Sequence, residues 1–99
     1  MGSGYVGILT ADLHFPESSS LKGKRKHVQS VKAQVARRFG ASVAEVDHHD
    51  AWQRCRLTLA CAGRRHGELV DLLDGVERYL WSQPLEVGRL ERQVVKVGE

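Results

Sequence analysis

Residues 18–27 read SSSLKGKRKH, and Lys22, Lys24, Arg25 and Lys26 crowd four cations into what the serines before Leu21 mark as a helix start, with Ser20 as N-cap. The free N–H groups of a first turn already carry partial positive charge, so Asp or Glu is the usual occupant there. Cations placed against that preference suit an anion: ammonium and guanidinium groups converge on a phosphate, and its binding relieves their repulsion. Lys32, Arg37 and Arg38 extend the series, and no acid intervenes between Glu17 and Glu45. The candidate anion- or RNA-binding residues are therefore Lys22, Lys24, Arg25, Lys26, Lys32, Arg37 and Arg38. The competing reading is a solvated helix face. On a wheel of about 100° per residue, Lys22, Lys26 and Arg37 point away from the apolar stripe. Lys24, Arg25 and Lys32 lie on or beside it and are expected to snorkel, the stems of Lys24 and Arg25 covering Leu21 and Val28. If these cations bind an anion, exchanging Lys24 and Arg25 for Gln is expected to leave the fold intact and weaken binding; the solvated-face reading expects no loss of partner, and destabilisation where the stems are lost.

Other chemistry is weaker. The run DHHD at 47–50 holds metal-capable side chains, but His48 and His49 point apart on a strand and meet at one ion only if the chain turns there. Cys55 and Cys61 fall on one face of an alternating strand about 20 Å apart, too far to bond to each other. Two free thiols on a core face fit a reducing compartment. His14, His27 and His66 are isolated and read as surface residues, and Trp52 is expected to pack at a hairpin end. GKRK lacks the spaced glycine and the Ser or Thr of a phosphate-binding P-loop. The acylphosphatase reaction on a fold of this type needs an Asn to orient water, and the chain has no asparagine. No catalytic residue, metal or cofactor is expected, and the chain is read as non-enzymatic.

The elements that must hold these residues follow from hydrophobic period. Residues 5–15, YVGILTADLHF, form a first strand with Leu9, Ala11, Leu13 and Phe15 on one face. Val28, Val31, Val35 and Phe39 recur at helical spacing before Gly40, giving a helix over 21–39. SVAEVDHH supplies a short second strand, with Ala44 and Val46 facing one way and Glu45 and Asp47 the other. In RCRLTLACA, residues 54–62, Cys55, Leu57, Leu59 and Cys61 oppose Arg54, Arg56 and Thr58, and this third strand pairs with the second as a hairpin. Leu69, Leu72, Leu73, Val76 and Leu80 mark a second helix over 66–82. The fourth strand, after Pro84, loses its alternation around Gly88, as at a bulge.

The order β-α-β-β-α-β predicts a ferredoxin-like α+β sandwich: a four-stranded antiparallel sheet with both helices on one face and the other face open. At 99 residues this is a single domain over 1–99, with residues 1–4 expected to be disordered. The formal charge of +3 hides an asymmetry, because outside the basic helix eight cations face twelve acids. No apolar run approaches a membrane span and no leader pattern opens the chain, so a cytoplasmic protein without membrane contact is expected.

The segment SLKGKRKH, the run SVAEVDHHDAWQ and the element order together resemble the YlxP-like family of small bacterial proteins of unknown function, from about Tyr5 to Val97. Gly23 departs from the glutamate of that pattern and leaves the cations less compensated. The resemblance implies a ferredoxin-like fold. It also implies a link to translation or ribosome maturation, whose genes often neighbour those of this family. Two functions then compete. One is a binding module that lays the basic helix on RNA or a ribosomal particle. The other is a homodimeric or protein-binding adaptor acting through the open sheet face, which shows no aromatic residue for stacking bases.

Overall fold

Leu9, Ala11 and Leu13 are buried and their neighbours in sequence half-exposed, so the first strand has one dry face, as its alternation predicts. The computed structural model describes residues 2–98. Its elements are β1 (Tyr5–His14), α1 (Leu21–Phe39), β2 (Ser42–Asp47), β3 (Arg54–Gly63), α2 (His66–Trp81) and β4 (Glu86–Lys96). All pairings are antiparallel in the order β2-β3-β1-β4, the ferredoxin-like arrangement. Met1 lies outside the described residues, and Gly4 is tied in through a hydrogen bond to its carbonyl from the Val97 N–H.

Both helices cover the face that carries Leu9, Leu57 and Leu59. Val28, Val31 and Val35 come down from α1, and Leu69, Leu73, Val76 and Leu80 from α2. Gly7 on β1 lets α2 come close, since a Cβ there would meet Leu69 and Leu73 side-chain carbons at 3.2 and 3.3 Å. Ser20 caps α1 by accepting from the Gly23 N–H at 3.0 Å, and Gly40, at φ 63°, ends it in the left-handed region. Cys55 and Cys61 are free and buried on the dry face.

Two bulges reset the faces. Ala11 pairs with Leu90 but Leu13 with Val87, so Gly88 and Arg89 together oppose Asp12, the slip foreseen at Gly88. A second shift, between Glu45 and Asp47, was not legible. It corrects the expectation that these two acids share a face. Glu45 turns inward under α1, while Asp47 turns to the open face and accepts from Arg56.

The centre of the open face is closed by its own polar pairs. Thr10 and Thr58 hydroxyls lie 2.8 Å apart, and the Arg56 Nε donates to Asp12 Oδ1 at 2.7 Å. That hydrogen bond holds the Asp12 carboxyl below the usual carboxylate range. Arg89 pairs with Glu91 across the rim of a shallow depression that these residues line.

Candidate functional site

The residues of α1 that the sequence singles out divide by burial. Lys22, Arg25, Lys26, Arg37 and Arg38 are exposed and Lys32 is half-buried. Lys22, Arg25, Lys26 and Arg37 fall within an arc of about 120° on a wheel of about 100° per residue, and Lys22 and Arg37 stand about 22 Å apart along the axis. Lys24 departs from them altogether.

Lys24 is fully buried. Its ammonium donates to Glu45 Oε2 at 3.2 Å and to three backbone carbonyls: His48 at 2.9 Å, His49 at 3.2 Å and Arg54 at 3.3 Å. This corrects its assignment to the anion-binding set. It also corrects the expectation that its stem runs outward to water. The reason lies in spacing: Lys24, Val28, Val31 and Val35 occur at i, i+4, i+7 and i+11, one stripe of one helix face. The sheet and the β2–β3 loop bring the acceptors to the amine, so it has no need of water. The expectation that Lys24→Gln leaves the fold intact falls with this.

The chain does turn at DHHD, with His48 at φ 66°. What the turn surrounds is the Lys24 ammonium. The His49 ring lies 3.1 Å from the Glu45 carbonyl, and among the described residues no group of three or more side chains could hold a metal ion. The histidines read as isolated are in contact: His14 lies 3.2 Å from Glu86, His27 packs on Phe15 at 4.7 Å between centroids, and His66 meets Tyr5 edge-on. Trp52, expected to pack at the hairpin end, is instead 60 % exposed.

Six cations of α1 remain: Lys22, Arg25, Lys26, Lys32, Arg37 and Arg38. Among the described residues, none of them has an acid within ion-pair distance. Arg37 reaches only Gln34, at 2.9 Å, and the Arg38 guanidinium lies 5.0 Å from the Tyr79 ring centroid. Three cations of the sheet behave otherwise. Arg56 pairs with Asp12 and Asp47, Arg89 with Glu91, and Arg92 with Asp74 at 2.7 Å and Glu77 at 2.5 Å. The second helix is also conventional, with Glu68 in its first turn and Arg78 in its last, whereas α1 has no acid in its first turn. Among the described residues, α1 thus holds six cations outside these ion pairs and no acid, while Arg54, Arg64, Arg65 and Arg78 are scattered over the acid-bearing remainder. The sequence signal for Lys24 and Glu45 was the lysine's own stripe position, masked by the three cations around it.

The thiols contribute nothing nucleophilic. Burial, reinforced by the neighbouring Glu45 carboxylate, pushes Cys55 up to about 12, and burial also raises Cys61. Both stay protonated on the core side of the sheet.

Comparison with known proteins meets the chain at this point. Residues 6–94 match the model of a family described as "Protein of unknown function (DUF503)". The chain belongs to that family. No curated protein matches it. Among solved structures, the de novo designed protein Ferredog-Diesel is similar at 14 % identity and a TM-score of 0.45, over 92 % of this chain and 86 % of that one. Membership in DUF503 leaves the molecular activity open. No described helix is long and apolar enough to cross a membrane.

Proposed function

We propose that this DUF503 protein is a non-enzymatic binding module that lays α1 against the phosphate backbone of structured RNA, in the setting of translation or ribosome maturation that the YlxP-like resemblance implies. The observation that carries the reading is the row of unpaired cations on α1, a helix without one acid, beside a sheet in which Arg56, Arg89 and Arg92 are paired. A fold that satisfies those three arginines internally yet leaves a 19-residue helix without one acid gains little stability from doing so. An anionic partner gains a great deal. The recognition residues are Lys22, Arg25, Lys26, Lys32, Arg37 and Arg38, with Lys24 as the internal post that fixes the helix on the β2–β3 loop.

Fluorescence anisotropy with a labelled RNA hairpin tests it. The wild-type protein should bind in the micromolar range or tighter at about 50 mM salt, and the Lys22→Gln, Arg25→Gln, Lys26→Gln triple variant should bind at least tenfold more weakly. An intact wild-type protein that leaves the hairpin free at high micromolar concentration would remove the assignment.

A second reading is favoured by the open face itself. Val6, Ile8 and Ala60 are only half-covered there, exposed Val95 pairs with Val6, and the polar centre needs no outside donor. Two copies could pair through this surface, a contact that buries apolar area and is therefore nearly independent of salt.

A further inference from the structure

Both tryptophans of the chain are exposed, and the topology sets them at the same end of the sheet as the first turns of α1. His14 pairs with Arg54 and with Glu86, so the last residue of β1 and the first residues of β3 and β4 share that end. From it α1 departs, α2 arrives at Trp81, and the β2–β3 loop carries Trp52; the two indoles are 63 % and 60 % exposed. Lys22, Arg25 and Lys26 stand on the same end, with Arg54 at the base of the loop and Glu17 and Asp50 as the exposed acids of the two loops.

Of the two indoles, Trp52 is the one on a built mount. On one side of it the His48 and His49 carbonyls are held by the Lys24 ammonium. On the other side the Arg54 carbonyl is held by the same ammonium, and the Gln53 amide donates to the Pro16 carbonyl at 3.3 Å and to the Ser18 carbonyl at 3.0 Å. The Phe15 N–H closes the arrangement on the Gln53 carbonyl at 2.7 Å. The loop is therefore fixed to the first turn of α1 and to the chain leading into it, yet its largest side chain faces water. Trp81 ends a helix, and among the described residues no side-chain hydrogen bonds of its neighbours tie it to α1 or the chain leading into it as those of Gln53 tie the β2–β3 loop.

Resting on the proposed RNA-binding role of α1, we infer that Trp52 stacks an unpaired base of the bound RNA, with Lys22, Arg25 and Lys26 on the adjoining phosphates. The ligand is thus a duplex bearing a single-stranded extension or bulge. An anchored indole stacks at little cost in ordering, and every base offers it a flat face, so the contact is strong and tolerant of sequence. Cations at the same end of the sheet supply the backbone attraction that stacking alone lacks. The open sheet face plays no part in this recognition.

The test uses the full chain in a Trp81→Phe background, so that Trp52 is the one indole reporting. Two probes are compared, a blunt RNA hairpin and the same hairpin with a five-nucleotide unpaired 3′ extension. The extended hairpin should quench the Trp52 emission, and Trp52→Ala should weaken its binding about 5- to 100-fold. The blunt hairpin should bind wild type and Trp52→Ala alike, and Trp52→Phe should keep most of the preference for the extension. Equal affinity of wild type for both probes, unchanged by Trp52→Ala, would overturn the stacking role while leaving the basic helix as an RNA-binding face. Failure to bind either probe would remove both. Emission that shifts with protein concentration in the absence of RNA would place Trp52 in a contact between copies and also overturn it.

Discussion

Lys24 shows how one residue can reverse its meaning between sequence and structure. In the string it is one of four neighbouring cations; in the molecule it is an internal fastener with four acceptors. Lys24→Met should destabilise by about 3–5 kcal/mol, because it leaves the Glu45 carboxylate and three carbonyls without their donor. Glu45→Gln keeps an acceptor for the amine but leaves its buried charge without a counter-ion, and should cost about 2–4 kcal/mol. Arg25→Gln, one position along, should stay within about 0.5 kcal/mol. Urea unfolding of the three variants measures this, and a Lys24→Met protein as stable as the wild type would show the ammonium to be a bystander. The cysteines make a second case. Both should resist a disulfide reagent in the folded protein at pH 8 and react when it unfolds. Because the folded Cys55 keeps its proton to about 12 while an unfolded thiol loses it near 8.5, the unfolded chain releases protons first. This contribution to stability is therefore full below about pH 8 and declines as pH rises toward 12. Rapid modification of the native protein would place a thiol outside the core.

Among the elements, α1 is the one whose local preferences and charges disagree. Its caps and apolar stripe were legible because Ser20, Gly40 and the valine spacing are local signals, and so were β1, β3 and α2, whose alternation or period is unbroken. The faces of Glu45 and Asp47 were not. A bulge exchanges faces without altering composition, and β2 is too short for its alternation to betray the slip. The exposure of Trp52 was illegible for a related reason: the loop around it is fixed by hydrogen bonds of Lys24 and Gln53 to backbone carbonyls, which no side-chain pattern encodes. The cations of α1 make a stability prediction of their own. Removing Lys22, Arg25 and Lys26 as Gln substitutions should leave the midpoint of thermal unfolding unchanged or raise it slightly, since each repels its neighbours and the helix dipole by a few tenths of a kcal/mol at low salt. A clear loss of stability in this triple variant would mean that those side chains serve packing, and that their charge has no further use.

For the whole molecule, the sheet and its two helices are ordinary, and what distinguishes it is where unpaired charge resides. Acids outnumber cations outside α1, so the protein presents one basic side to an anionic partner and a mildly acidic remainder that disfavours wrapping. That polarity predicts a salt dependence which pairing of two copies through the open face does not share. The decisive measurement is the affinity for a labelled RNA hairpin as a function of salt between about 50 and 200 mM, for the wild type and for the Lys22→Gln, Arg25→Gln, Lys26→Gln variant. Each phosphate neutralised contributes about 0.7–0.9 to the slope of log affinity against log salt. The wild type should therefore fall with a slope of about −3 or steeper, and the variant should lose two to three units of it while remaining folded. A wild-type slope near zero, or the same slope in both proteins, would contradict the assignment of α1 as the nucleic-acid face.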